Sequence, residues 1–139
     1  MMVRFNMSRI AVSQFAILSE SLPQGEMNML TEISFQYSSE SRQIACEAGF
    51  RFTHEDNTIL VLKVLCEFRI HESDWAGFVR KDGVGIPKSV LEILAVHTVG
   101  TSRGILFCKT EGTAFNSLMI PPLNVARMME DEAAVVKSK

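Results

Sequence analysis

The fold is decided by residues 87–111, PKSVLEILAVHTVGTSRGILFCKTE, which we predict to form one long helix. When this stretch is projected at about 100° per residue, the central charges Glu92 and Arg103 share one narrow sector and apolar residues fill the rest. Such a helix needs cover on nearly every side. The chain's own sheet covers one side, so we expect the remainder to pack against another copy of the chain.

Four predicted strands come before this helix, because apolar and polar residues alternate along each of them. The strands cover residues 3–12, 29–38, 42–54 and 58–70. A change in the phase of the alternation near Ser8 and Arg9 predicts a bulge in the first strand. Pro23 and Gly25 in the next connection exclude a two-residue hairpin, so the first strand need not neighbour the second.

The last two strands predict a long hairpin with a definite register. A three-residue loop, Glu55–Asn57, makes His54 face Thr58. The same register sets Cys46 directly opposite Cys66 on the buried face. The three cysteines form an odd set without C-x-x-C spacing, which indicates reduced thiols rather than a disulfide framework or a zinc knuckle.

The end of the chain predicts a second, shorter helix. Gly112 marks the end of the long helix, and Asn124 is placed to cap a short amphipathic one. Four antiparallel strands followed by a helical layer make the predicted fold class α+β. A length of 139 residues with 47% hydrophobic content suits one domain, residues 1–139.

The charge balance and the apolar runs restrict the partners of the chain. Its 14 Lys and Arg and 16 Asp and Glu are scattered and sum to −2, so we expect no nucleic acid. The N-terminal stretch lacks a cleavage pattern, so we expect no signal peptide. No run of about 18 apolar residues is free of charge, so we expect no stable membrane insertion and a cytoplasmic location.

Side chains suited to catalysis do not converge in the sequence. His97 and Cys108 lie eleven residues apart on the predicted helix, about 16 Å along its axis, so they cannot act as base and nucleophile. Histidines and cysteines elsewhere lack the spacing of zinc ligands, so we predict no metal site and no cofactor. The sequence therefore favours a binding protein over an enzyme.

Gly100 and Gly104 form a shallow ridge on the predicted helix, where another backbone can approach closely. Each glycine costs a helix about 1 kcal/mol relative to alanine, so a packing reason is expected. Two interpretations remain open: close contact with the chain's own sheet, and a helix crossing at an oligomer interface. In the second, Val96 and Phe107 join the two glycines in the interface.

Residues 103–125, RGILFCKTEGTAFNSLMIPPLNV, resemble the SecB-like family of protein-export chaperones. The likeness lies in an arginine–glycine helix end, a polar turn and an apolar P-x-x-N stretch, which follow four long strands and a tryptophan-bearing loop. The resemblance implies a four-stranded antiparallel sheet with a crossover first connection and a long helix packed on it. It also implies assembly into a dimer or a dimer of dimers.

The functional implication of the resemblance is an ATP-independent holdase, which binds unfolded or precursor polypeptides in apolar grooves of an oligomer during protein export. Some relatives instead protect the antitoxin of a toxin–antitoxin pair. The eight methionines have two interpretations: they fill gaps in the core, or several of them form a surface that accepts many apolar sequences. By element, the resemblance assigns to the client groove Phe15, Ile17, Leu18, Met27, Trp75, Phe78, Ile120, Leu123 and Met128.

The chain also departs from the SecB pattern. Its last helix is short and its end carries Lys137 and Lys139, where SecB has a longer helix and an acidic tail, so docking to the translocase motor is less expected than client holding. The rival enzyme is a hot-dog-type acyl-thioesterase with Glu92 as its base, but there the helix comes early and later strands wrap it. A bare oligomerisation module is the third hypothesis.

Overall fold

The computed structural model describes residues 2–131 and 136–138. The main strands and helices are β1 (Phe5–Ile17), β2 (Asn28–Ser38), β3 (Gln43–His54), β4 (Asn57–Ile70), α2 (Lys88–Lys109) and α3 (Val125–Asp131). The short elements are α1 (Glu72–Ala76), β5 (Val79–Arg80), β6 (Gly83–Val84), a 3₁₀ turn (Ala114–Ser117) and β7 (Val136–Ser138). The predicted α+β class and the order of four strands followed by a long helix are confirmed.

The first connection crosses over the sheet, as predicted. The strand order is β1-β4-β3-β2-β7, in which the first four strands are antiparallel to their neighbours. The sequence did not predict β7, which pairs in parallel with β2 and places Val136 opposite Phe35. Lys137 belongs to this strand, whereas Lys139 lies outside the described residues.

The β3–β4 hairpin has the predicted register along its body and a different turn. Cys46 pairs with Cys66 as expected. His54, however, faces Asn57 rather than Thr58, because the turn has two residues and not three. Glu55 and Asp56 form it with φ angles of 49° and 67°, the two positive values that a tight turn matched to strand twist requires. The pairing shifts by one residue between Phe52 and Thr53, and this irregularity restores the predicted register for the rest of the hairpin.

Two bulges in β1 explain why its apolar residues change phase. The bulge predicted near Ser8 is present as a register shift between Met7 and Arg9, and a second one follows Val12. Each bulge turns the next apolar residue back toward one face of the sheet, so Ile10 and Phe15 face the same way as Met7. The strand consequently runs five residues beyond its predicted end.

One face of the sheet is covered by α2, which packs on β3 and β4. Buried apolar side chains of the helix and of these two strands belong to one core cluster. Three hydroxyl side chains are buried in or beside the helix without loss of hydrogen bonding. Thr98, Ser102 and Thr110 donate to helical carbonyls one turn back, over 2.7–2.8 Å, so the polar atoms cost the core little.

One flank of α2 is closed by the chain's own C-terminal segment. Arg103 donates from Nε to the carbonyl of Ile120 over 2.7 Å and from Nη2 to the carbonyl of Pro121 over 3.0 Å. Ile120 is buried beneath this contact, and Val125 of α3 is also buried in the core. The charged sector seen in the sequence is thus a site that ties down an extended segment rather than a face left to water.

The length and composition of α2 would allow it to cross a membrane. It has 22 residues, and its most apolar window reaches a mean hydropathy of 1.3. These two criteria do not show insertion, so the expectation that no helix of the chain spans a membrane stays a prediction. Of that window, 44% is buried within the chain, and helices that cover a sheet in a protein core have the same apolar character.

The three cysteines are expected to differ sharply in reactivity. Cys46 and Cys66 are buried and Cys108 is exposed. Burial raises the pKa of the Cys46 thiol to about 12 and also raises that of Cys66, and only the thiolate attacks a disulfide reagent. A colorimetric thiol assay on the native protein should therefore count one fast thiol per chain, against three after denaturation. Two fast thiols in the native protein would contradict this packing.

Candidate binding surface

The side of α2 that points away from the sheet is apolar and open. Its exposed residues recur every three or four positions and so form one stripe along the helix. We call this stripe the outer face of α2, and it consists of Ile93, Val96, Gly100, Gly104 and Phe107. Val96 is 56% exposed, the largest exposed fraction among the apolar side chains of the stripe.

A second exposed apolar row lies on β1, on the sheet face that α2 covers. It consists of Met7, Ile10 and Val12, and we call it the β1 row. Ile10 is 51% exposed although its neighbour in β4, Cys66, is fully buried. The helix therefore covers the central strands and leaves the middle of the edge strand open.

Two side chains of α2 contact rings of β1 beyond the two ends of that row. The His97 ring lies edge-on to the Phe5 ring at 5.6 Å between centroids. The Lys109 ammonium lies 5.8 Å from the centre of the Phe15 ring. We call the exposed apolar strip between these two contacts, which the β1 row forms, the channel.

The outer face of α2 and the β1 row lie on the same side of the molecule. Together they hold six of the eleven large apolar side chains that are strongly exposed in the described part of the chain. Concentration of exposed apolar surface on one side marks an interaction site more often than scattered residues do. The closed flank with Arg103 shows that the chain can cover this helix where its own segment reaches.

Three predicted groove residues belong to the core instead. Trp75 and Phe78 pack edge-on at 5.9 Å, and both are buried, as is Ile120. They present no surface to a client in this conformation, so this part of the predicted groove is corrected. The loop that carries the two aromatic residues is not open either, because it folds into α1 and the β5–β6 hairpin.

The other predicted groove residues are spread over the molecule. Phe15, Ile17, Met27 and Leu123 are half-buried against the core, Met128 is half-buried in α3, and Leu18 is exposed. Ile17 lies at the sheet end where β2 starts, level with Met29, whereas Trp75 packs against Tyr37 at the other end. Eight residues of strand, about 26 Å, separate these ends, so the nine residues do not line one groove.

The sequence analysis missed the β1 row as a binding surface. Its residues were recognised as the apolar side of a strand, and such a side is normally buried. The β1 row is exposed because β1 is at the sheet edge and α2 lies over β3 and β4. The alternation of apolar and polar residues predicts neither of these two features. The phase change at Ser8 was the available signal, since bulges are common in edge strands.

The structure decides between the two interpretations of the glycine ridge. A Cβ atom added at Gly100 or Gly104 would meet no atom of the described residues within 4 Å. Close contact with the chain's own sheet is therefore excluded as the reason for either glycine. Both remain candidates for contact with a second molecule.

Substitution of Gly100 by alanine is expected to separate stability from association. The single chain should gain about 1 kcal/mol in its free energy of unfolding, because the position is helical, exposed and unobstructed. Gly112→Ala is the matched control and should cost stability, since its φ of 78° suits glycine alone. Urea unfolding at low protein concentration measures both. A loss of stability in Gly100→Ala would indicate a contact within the chain.

Groups suited to chemistry do not gather on this surface. In residues 2–131 and 136–138, no three His, Cys, Asp or Glu side chains are placed to share a metal ion. Glu92 is half-buried on α2, and its carboxylate makes no hydrogen bond or ion pair with another described residue. His97 stacks against the rings of Phe5 and Phe68. What the surface offers is apolar area.

Comparison with known proteins identifies the fold. No protein-family profile matches the sequence, and no curated protein matches it. A solved structure does match: the SecB-like chaperone Rv1957 of Mycobacterium tuberculosis, in complex with a ChAD peptide from the Rv1956 HigA1 antitoxin. The two share 12% sequence identity over 87% of this chain and 91% of that one, with a TM-score of 0.56. The fold is therefore like that of a SecB-like chaperone.

A second similar structure is a protein of unknown function from Streptococcus agalactiae. It shares 11% identity over 88% of this chain and 99% of that one, and its TM-score is 0.42. At these identities both matches concern the fold, and the lower TM-score carries no further argument.

Proposed function

We propose that this chain is the subunit of an ATP-independent chaperone that holds unfolded or precursor polypeptides. The observation that carries the proposal is the exposed apolar surface formed by the outer face of α2 and the β1 row. The likeness to a SecB-like chaperone solved with an antitoxin peptide supports it. In this proposal the chain is not an enzyme and needs neither nucleotide nor cofactor.

The two parts of the apolar surface have separate roles in this proposal. The outer face of α2 joins copies of the chain into a dimer or a dimer of dimers, with Val96 and Phe107 packed around Gly100 and Gly104. Glycines suit such an interface, because they let two helix backbones approach closely. The channel at the β1 row stays open between subunits and accepts the client.

A polypeptide without fixed structure suits the channel better than a folded partner does. An extended chain adapts its apolar side chains to the row, and each Å² of apolar area removed from water contributes about 25 cal/mol. Met7 is flexible enough to fit side chains of different shape. Leu18 and Met27, toward the far end of β1, would extend the contact for longer clients.

The biological setting is a further part of the proposal. A cytoplasmic chaperone of this kind serves either protein export or the protection of an antitoxin, and the antitoxin peptide bound to the similar structure favours the second. Delivery to the translocase motor is not required for client holding. The thioesterase hypothesis gains no specific support, since α2 follows β1–β4 in the chain and the described residues place no hydrogen-bond partner beside Glu92.

The test combines light scattering with an assay of client aggregation without ATP. The chain should suppress aggregation of a chemically unfolded client at a few-fold molar excess. Ile10→Asp should remove most of this activity and leave the oligomer mass unchanged, because it places a charge in the channel. Leu30→Asp, an equally exposed position on the opposite sheet face, is the matched control. Equal holding by the two variants would contradict the assignment of the channel.

A further inference from the structure

A pocket at the end of the sheet, where β1 begins and β4 ends, is lined by three arginines. Arg4, Arg42 and Arg69 line it together with His71 and Glu72. It lies around the end of the sheet from the β1 row: Phe5 is on the face that carries the row, whereas Asn6 and Arg69 are on the opposite face. Three guanidinium groups in one small pocket favour an anionic ligand.

The backbone around the end of β4 holds these arginines in place. The N–H of His71 donates to the carbonyl of Arg4 over 2.9 Å, and the N–H of Ile70 donates to the carbonyl of Arg42 over 2.9 Å. Arg69 lies between them in β4, paired with Asn6 of β1 on one side and Gln43 of β3 on the other. The cluster therefore rests on three neighbouring chain segments rather than on a loose loop.

Arg4 already has partners inside the chain. Its backbone N–H and its Nε both donate to Oδ2 of Asp74, over 3.0 and 3.1 Å, and its Nη2 donates to Ser73 over 2.6 Å. The hydrogen bond from the Arg4 backbone, with help from its side chain, holds the pKa of Asp74 below its usual value. Arg4 thus shapes the wall of the pocket and contributes little free charge to it.

Arg42 and Arg69 are different, because neither side chain has a partner among the described residues. The Nε of Arg42 is enclosed, and no described residue accepts its hydrogen bond. Arg69 is exposed, and its guanidinium makes no hydrogen bond or ion pair within the described residues. An enclosed N–H without an acceptor is costly and is rare in native proteins. Because this Nε is closed to solvent, an anion in the pocket would reach Arg42 through the other nitrogens of its guanidinium.

The charge of the pocket indicates which anion fits. Three arginines stand against two carboxylates, Glu72 and Asp74, which leaves one net positive charge. A single negative charge balances it, and a carboxylate also matches the planar fork of a guanidinium with two parallel hydrogen bonds. A phosphate dianion would overcompensate the charge and would face Glu72.

We propose that this pocket binds the carboxylate of an acidic residue in a polypeptide segment. That the carboxylate belongs to a polypeptide rests on the proposed function. An extended client on the β1 row would pass Met7 and turn around the end of the sheet, where a residue two to four positions further on, about 7–13 Å, comes to Arg42. The preferred client then has an apolar stretch flanked by Glu, Asp or a C-terminal carboxylate.

The first experiment tests the pocket without any client. In an NMR titration of the full chain with acetate, the side-chain Nε–H signal of Arg42 should shift and saturate, and chloride at equal ionic strength should not reproduce the shift. Arg42→Gln and Arg69→Gln should each weaken acetate binding about tenfold or more. Absence of a saturable shift would overturn the proposal. Saturation by inorganic phosphate at a lower concentration than acetate would overturn the carboxylate assignment.

The second experiment tests the link to polypeptides with matched peptides. An apolar peptide with a flanking Glu should bind about tenfold more tightly than its Gln counterpart, and a third peptide with only a free C-terminal carboxylate separates the two sources of the charge. Arg42→Gln should abolish the preference, whereas Arg51→Gln, which removes an arginine outside the pocket, should keep it. Equal binding of the Glu and Gln peptides would refute the client link while leaving the holdase proposal standing. Failure of all peptides to bind would refute the holdase proposal, and acetate would still decide the pocket.

Discussion

Replacing Leu62 with alanine is expected to lower the free energy of unfolding by about 2–5 kcal/mol. Leu62 is fully buried in β4, between Phe15 of β1 and Phe50 of β3 on the face that α2 covers. The substitution removes apolar area from the core and leaves a cavity that three elements cannot close by moving together. Domains of this size are stable by about 5–15 kcal/mol, so the loss is a large fraction of the total.

Leu30→Ala is the control that makes this expectation specific. Both leucines lie in strands of the same sheet, so the change in strand propensity is similar, but Leu30 is 61% exposed on the opposite face. Its loss should cost less than about 1 kcal/mol. Urea unfolding of both variants at equal protein concentration measures the difference. Equal costs would show that the face carrying Leu30 is also buried, for instance by a second subunit.

The body of the sheet was predictable because alternation and register are local properties. The pairing of Cys46 with Cys66 follows from two apolar series and one turn, and the structure confirms it. The turn was predicted to be one residue longer than it is, because asparagine is common in turns but Asn57 starts β4. An irregularity after Phe52 absorbs the difference, and no alternation pattern reveals such compensation.

Burial of the aromatic loop could not be predicted in the same way. Trp75 and Phe78 follow the last long strand among glycines, which is a composition typical of exposed loops. Their burial depends on Tyr37 of β2, which is distant in sequence and receives Trp75 at 6.4 Å between ring centroids. Contacts between remote elements decide which apolar residues remain outside, and a single sequence does not contain them.

Of the two parts of the candidate binding surface, only the outer face of α2 was predicted. The outer face of α2 was expected, because a helix that is apolar on all sides exceeds what one sheet covers. Val96 and Phe107 are indeed exposed. The β1 row was not expected, since its exposure depends on where α2 crosses the sheet. The basic pocket also escaped prediction, because Arg4, Arg42 and Arg69 lie far apart in sequence and meet only after the first connection crosses over.

Paired substitution of Val96 and Phe107 by aspartate is expected to dissociate the proposed oligomer. Both side chains are exposed in the single chain, so the variant should fold normally and keep its circular dichroism spectrum. In a helix-to-helix interface each aspartate would instead be a buried, unpaired charge. Removing one partner of a buried charge pair costs about 3–5 kcal/mol, and a similar penalty here weakens association at least roughly a hundredfold.

Light scattering over a range of concentrations measures the dissociation, with Met119→Asp as the control. Met119 is about as exposed as Val96 but lies outside α2, so an aspartate there adds one negative charge, half of what the double variant adds, without touching the proposed interface. The double variant should have the mass of one chain at micromolar concentrations, while the control should keep the mass of the parent. A parent protein that is itself monomeric would refute the interface, because the outer face of α2 would then be stable in water.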